Sequence, residues 1–311
     1  MKTKLFKSSL LNIAGCSVLL IFFSVHCLKA QNDESIIFDM GSISISLLSE
    51  GQGQGGTNIL IGATDEMVKT VIPEGTFPIA TNAFMIEADG KILLIDAGLG
   101  QKTIDNIAVY GKKVSDIDAI LITHFHGDHI GSLMINGQKG YPNAVLYVSK
   151  PEYDYYMNDA EMNALPENNR SAFTSARNIF NAYKDKLVIF MPNEIENATE
   201  LLPGIKGVAA YGHSPGHVGY LVESDGKKIF FWGDLAHAMA IQMPYPEVAV
   251  TYDTDLVKAV ESRLKLLKYI VENEIVVAGA HIPYPGIGDF GKQISEGYNF
   301  VLKSTCEGRM P

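Results

Sequence analysis

Cysteine is scarce in this chain of 311 residues: three occur, Cys16, Cys27 and Cys306. Two of them fall in an apolar amino-terminal stretch, so no intrachain disulfide framework organises the rest. Cationic residues are also in short supply, 25 Lys and Arg against 35 Asp and Glu, for a net charge of −10. A nucleic-acid partner needs a basic footprint to meet its phosphates, and this balance argues against one. Internal repeats and linker-like segments are absent as well. What is left, 47% apolar and 19% charged, is the profile of a globular chain with a large buried core.

At the amino terminus Lys2, Lys4 and Lys7 precede an uncharged stretch, residues 8–28, whose centre is almost wholly apolar. Ala30 then stands before polar Gln31-Asn32. A basic region, an apolar region and a small residue in that order read as a secretory signal, residues 1–30, cleaved after Ala30. An uncleaved anchor is a second reading, since the stretch is long enough to span a bilayer. Lipidation at Cys16 is a third, disfavoured because the apolar run continues past it. The expectation is an exported protein, periplasmic or secreted, with no stable membrane insertion after cleavage and one domain over residues 31–311.

Alternating apolar residues at 35–48 read as strand, and the four glycines within residues 51–56 as a loop. A short helix is expected over 64–71. Apolar runs at 82–86 and 92–95 flank Asp89-Gly90, and Asp225-Gly226 sits between two later runs; both pairs signal hairpin turns. Further strands are expected near 119–122, 145–148, 187–190, 208–211 and 275–278. Leu256, Val257, Val260, Leu264, Leu267 and Val271 recur at helical steps, predicting an amphipathic helix capped near Asp253. Two strand-rich halves, each with helices, suggest an α/β sandwich of mixed sheets.

The segment Thr123-His124-Phe125-His126-Gly127-Asp128-His129 follows directly on a buried strand. Imidazoles and a carboxylate crowded at a strand end are costly to desolvate unless something partners them, and a bound cation does so. Histidine nitrogen and carboxylate oxygen are ligands that zinc takes. Seven of the eight histidines lie between positions 124 and 281. His213 and His217 share a loop after a strand, Asp234 closes the strand at 229–232, and His281 closes the strand at 275–278. Metal-capable groups thus recur at strand ends, where a sandwich can converge them on one edge.

Taken together, H-x-H-x-D-H at 124–129 and the runs Thr81-Asn82-Ala83-Phe84, Gly212-His213-Ser214-Pro215-Gly216-His217, Phe231-Trp232-Gly233-Asp234-Leu235 and Ala280-His281-Ile282-Pro283 resemble the metallo-β-lactamase-fold hydrolases. The likeness is greatest to the methyl-parathion-hydrolase-like branch, related to the quorum-quenching lactonases. It implies a four-layer αβ/βα sandwich with two mixed sheets, two zinc ions or other divalent metals, and a homodimer. It assigns His124, His126 and His213 to one ion, Asp128, His129 and His281 to the other, and Asp234 as the bridge. Asp96 matches a position that orients a ligand histidine, and His217 looks similar in role. His237 falls where the lactonases carry a substrate-contacting tyrosine, which implies a catalytic part alongside Asp128 and Asp234. Asp289 departs from the branch, which has histidine there.

The chemistry so implied is attack on a substrate by a hydroxide shared between two ions, with no need of a serine or cysteine nucleophile. Aspartate at 234 argues against an efficient β-lactamase, where the family has cysteine or serine, and leaves a weak one open. A mononuclear iron dioxygenase held by His124, His213 and Asp234 is an alternative, as is an exported binding protein with a structural metal. Residues 152–185 are expected to form a helical lid whose Tyr153, Tyr155, Tyr156, Phe173, Phe180 and Tyr183 line an apolar pocket mouth, bordered also by Met239, Ile241 and Met243. The expected substrate is a small neutral lactone, ester or phosphotriester.

Overall fold

The computed structural model describes residues 36–291 and 297–303. The expected signal with its cleavage point, and Cys306, lie outside them. Strands β1 (Ile37–Met40) and β2 (Ile43–Gly56) fold back through Gly41, and β4 (Thr76–Ala88) returns as β5 (Lys91–Ile95) through Asp89 and Gly90, both at positive φ, 49° and 74°. This mirror-image turn matches the strand twist, which is why the dipeptide marked a hairpin in advance. With β6 (Ala119–Leu121), β9 (Val145–Ser149) and β10 (Leu187–Phe190), these strands form one sheet in the order β1-β2-β4-β5-β6-β9-β10, parallel from β5 onward. A second sheet takes β11 (Thr199–Leu202), β12 (Ile205–Ala209), β13 (Val218–Ser224), β14 (Lys227–Phe231), β16 (Val276–Ala278), β17 (Ile287–Phe290) and β18 (Phe300–Leu302) in that order. Two short ribbons pair β3 (Leu60–Ile61) with β15 (Ala249–Val250), and β7 (Met134–Ile135) with β8 (Gln138–Lys139).

Period-two alternation sorts the strands into layers. Phe84, Ile86, Leu93 and Ile95 meet Tyr220, Val222, Ile229 and Phe231 between the sheets. Their neighbours Met85, Leu94, Ile120 and Leu146 face outward onto helices α2 (Gln101–Val109), α4 (Lys150–Met157) and α6 (Ser171–Tyr183). Leu221, Phe230 and Val277 face α8 (Leu256–Glu272) on the far side. Both sheets are therefore covered on both faces, which explains runs that are apolar without a break. Shorter helices α1 (Asp65–Val71), α3 (Gly127–Ile130), α5 (Asp159–Ala164) and α7 (Met239–Gln242) occupy connections. Among the described residues no helix is long and apolar enough to cross a membrane.

Three expectations are corrected. Residues 51–56 are not a loop: they continue β2, paired with residues 76–81 of β4 after an irregularity between Ser49 and Gly51. Glycine lacks the side chain that would show strand alternation, so the pairing left no mark in the residue pattern. The long helix is capped by Asp255, which accepts from the Lys258 N–H at 3.0 Å, and not by Asp253. Its buried face carries Ala259, Arg263, Leu266, Leu267 and Ile270, while Val257 and Leu264 of the expected stripe are exposed. Lastly, residues 152–185 are not a lid. Tyr156, Phe173, Phe180 and Tyr183 are buried in the outer core against the first sheet, and Tyr153 and Tyr155 pack onto it.

Candidate metal centre

Because β5 and β6 run parallel, as do β14 and β16, the residues that leave their carboxyl ends share one edge of the sandwich. Asp96 follows β5, His124 follows β6, Asp234 follows β14 and His281 follows β16; the turn after β12 adds His213. Asp96 is held at φ 62° and Gly233, before Asp234, at φ 55°. A left-handed aspartate is costly enough that its surroundings must fix it, and Asp96 is fixed. Its carboxylate accepts from the Thr123 N–H at 2.7 Å and the Thr123 hydroxyl at 2.8 Å, and contacts His129 Nδ1 at 2.7 Å.

Three overlapping groups of donors result among the described residues: His124, His126, His213 with Asp234; Asp128, His129 with His281; and Asp234, His237 with His281. In the first, His213 Nε2 lies 3.2 Å from His124 Nε2, 3.0 Å from His126 Nδ1 and 3.3 Å from Asp234 Oδ2. In the second, Asp128 lies 3.8 Å from His129 Nε2 and 3.6 Å from His281 Nε2. Asp234 stands between them, 3.1 Å from both His129 Nε2 and His281 Nε2. The seven side chains that the resemblance assigns to the ions thus lie close together.

The outer nitrogens decide whether cations fit. His129 Nδ1 faces Asp96, His213 Nδ1 faces Asp253 at 2.9 Å, and His281 Nδ1 faces the Ala80 carbonyl at 2.8 Å. Each partner is an acceptor, so the proton belongs on Nδ1 and a lone pair points inward from Nε2. His129 Nε2 and Asp234 Oδ1 are both buried without a hydrogen-bond partner, although they face each other. Facing lone pairs repel unless positive charge lies between them, and the donor set suits divalent ions that take nitrogen and oxygen. Without an ion a proton answers the charge instead: burial opposes the charged form of His129, yet Asp234 and Asp96 outweigh it and hold the group well above its usual range. Burial pushes His124 well down and, with His213, pushes His126 down to about 3. Burial also opposes the charged form of His213, yet Asp234 and Asp253 outweigh it and raise the group to about 9. Burial would raise Asp234, but the surrounding histidines, His129 foremost, hold it well below the usual carboxylate range.

Around this cluster stand partners of three kinds. His217 accepts the Asp234 N–H at 3.0 Å on Nε2 while its Nδ1 faces the Ala210 carbonyl at 2.8 Å, so it fixes the backbone of the central aspartate. His237 Nε2 lies 2.9 Å from Asp234 Oδ2, with its ring stacked on His281. Asp253, which the sequence suggested only as a helix cap, orients His213 and lies 3.7 Å from Arg263 on the buried face of α8. Residues 212–216 also spell G-x-S-x-G, but Ser214 is buried and donates to Glu152 at 2.7 Å, which leaves it no access to substrate.

A cavity of about 650 Å³ opens over His126, Asp128, Asp234, His237 and His281. It is lined further by Gln54, Gly55 and Gly56 at the end of β2, by Asn58, Ile59 and Ile79, and by Tyr252. The Thr251 N–H donates to the Ile59 carbonyl at 2.8 Å, which joins the segment of Tyr252 to that of Ile59. None of the aromatic residues of the helical segment lines it. Met239 and Met243 border a different cavity, of about 330 Å³, and Ile241 is buried. Asp289 does not reach the site either; it pairs with Lys303.

The profile of the metallo-beta-lactamase superfamily matches residues 76–281. The chain belongs to this superfamily. Among solved structures, the superfamily hydrolase AbOPH is 26% identical, with a TM-score of 0.77 over 87% of this chain and 98% of that one. AidC, a dizinc quorum-quenching lactonase, is 24% identical with a TM-score of 0.78 over 88% and 99%, a likeness of fold. Curated relatives include endoribonuclease YSH1 of Candida albicans, 26% identical over 62% of this chain and 24% of that protein. Exodeoxyribonuclease WalJ of Streptococcus pneumoniae is 46% identical over 19% and 22%. The chain thus spans about a quarter of the length of these curated relatives. The superfamily sandwich and its His/Asp clusters agree with the resemblance read from the sequence.

Proposed function

We propose that this superfamily member is a metal-dependent hydrolase of a neutral ester-like bond: a lactone, an ester or a phosphotriester. One observation carries the reading. Among the described residues lining the cavity there is no Lys or Arg, while Asp128 and Asp234 lie at its base. With Asp128 and Asp234 engaged by ions, a polyanionic nucleic acid would find no Lys or Arg along the described lining to meet its remaining phosphates, whereas an uncharged substrate needs none. The nuclease activity named for the curated relatives is the second reading, and their shared residues are its support.

His124, His126 and His213 would hold one ion and Asp128, His129 and His281 the other, with Asp234 between. Zinc is the choice we favour for a histidine-rich donor set. Divalent ions so held supply Lewis acidity toward a substrate oxygen and make water acidic enough to attack near neutral pH. The chain's own side chains do the rest. Asp96, Asp253 and the Ala80 carbonyl keep the inward lone pairs aimed, Ile59, Ile79 and Tyr252 give an apolar arm a wall, and His237 stands beside Asp234 where a substrate would rest. The presence of both donor groups favours this reading over a mononuclear iron dioxygenase. We also read the protein as exported and its partner as a small molecule.

Purified protein should be assayed with an acyl-homoserine lactone, an aryl ester, a phosphotriester, a β-lactam and a short RNA. Turnover of one of the first three, lost with chelator and in His126→Ala, is the expected result. Turnover confined to the RNA would replace this reading with the nuclease one, and turnover confined to the β-lactam would move the chain among the lactamases.

A further inference from the structure

We propose that Glu152 is a positioning residue of the metal centre, a buried carboxylate that ties the loop of His124 and His126 to the loop of His213. The inference rests on reading those histidines as ligands. Ser149-Lys150-Pro151-Glu152 opens α4 with the spacing of a capping box, in which the glutamate normally turns back to the cap residue's own N–H. Half of the box forms, with the Glu152 N–H donating to Ser149 Oγ at 3.4 Å. The carboxylate turns elsewhere. Its Oε1 accepts from the Phe125 N–H at 2.9 Å, and its Oε2 accepts from the Ser214 hydroxyl at 2.7 Å and the Gly216 N–H at 2.8 Å. The Ser149 hydroxyl completes the clasp by donating to the Gly216 carbonyl at 2.5 Å.

The three donors have telling places in the chain. Phe125 lies between His124 and His126 and follows a strand of the first sheet. Ser214 directly follows His213, and Gly216 precedes His217, in a turn of the second sheet. A Cβ on Gly216 would strike the backbone of Glu152, so this turn lies flat against the start of α4. One side chain therefore joins the two sheets at the place where His124 Nε2 and His213 Nε2 stand 3.2 Å apart. Glu152 is 1% exposed, and burial raises its pKa against the pull of these donors. Burying a carboxylate among neutral donors is an expensive way to join loops, unless the joint must be accurate. A carboxylate accepts on both oxygens at once. In glutamine the amide nitrogen would have to face either the Phe125 N–H or the Ser214 and Gly216 donors, and one loop would be released.

The test titrates the full chain with cobalt and with zinc against a competing chromophoric chelator, for wild type, Glu152→Gln, Ser214→Ala and His213→Ala, and melts each without metal. Wild type is expected to bind two ions, and His213→Ala to remove one of these events. Glu152→Gln should weaken that same event by about 10- to 100-fold, the usual loss when a partner of a ligand is removed, leave the other within twofold, and shift the cobalt absorption bands. Ser214→Ala should weaken it less, with metal-free melting close to wild type. Unchanged affinities in Glu152→Gln would overturn the proposal while leaving the metal centre intact. So would equal weakening of both events with a large fall in melting temperature, which would make Glu152 a structural residue only. No binding by wild type would overturn the metal centre, and the proposal with it.

Discussion

Residues 51–56 and residues 152–185 exchange the parts that composition suggests for them. The aromatic segment looks like a pocket mouth and is core; the glycine-rich segment looks like slack and is pocket wall. Both outcomes follow from burial. A phenyl or phenol ring gains more by covering a sheet face than by standing in water beside a cavity, so aromatics at helical spacing go inward wherever a sheet needs a cover. Glycines leave room, and a strand end made of them lets the cavity approach the backbone. Openness, not apolarity, decides which residues a ligand meets.

The comparison can be broken from either side. The largest effect should come from Phe180→Ala, which empties a buried ring site and should cost about 3–5 kcal/mol in denaturant unfolding; an altered KM in the molecules that remain folded would return the segment to the pocket. Next is removal of metal: an ion present at 100 times its Kd and bound only by the folded chain adds about 2.7 kcal/mol. Calorimetry with and without chelator should show that difference in wild type and in any variant of Tyr153, Tyr155, Phe173 or Phe180 that folds. Asp253→Asn keeps an acceptor for His213 but weakens its hold, and should lower metal affinity by about tenfold in a chelator competition. Smallest in stability is Tyr252→Ala. Tyr252 is 53% exposed, so unfolding should shift by less than about 0.5 kcal/mol, while KM rises several-fold if the pocket is where the substrate sits.

Much of the molecule was legible in advance because its signals are local. Asp89-Gly90 and Asp225-Gly226 can adopt the turns that few other pairs can, and the spacing of His124, His126, Asp128 and His129 is itself a chemical statement. Partners that act across the fold left no such trace. Asp253 lies 40 positions from the His213 it orients, and in the sequence it looked like one more acidic cap. Arg263 broke the expected stripe of α8, because its guanidinium buries against the carbonyls of Leu235, Pro246 and Val248. A periodicity search discards a charged residue on an inner face, and the carbonyls waiting for it, with Asp253 beside them, explain why it is there.

The loop of His281 is held from the other end of the chain. Asn82 Nδ2 donates to the carbonyls of Gly279 and Ile282, at 3.2 and 2.8 Å, across as many as 200 positions. Synthesis runs from the amino terminus, so β4 emerges with that amide bonded to water until nearly the whole described chain has been made. Closing this contact joins segments about 200 positions apart, and contacts of such separation are the ones that slow folding in general. A growing chain that already displays His124, His126 and His129 offers a stray ion only part of its final cage, and the tight grip is deferred until the two sheets have met.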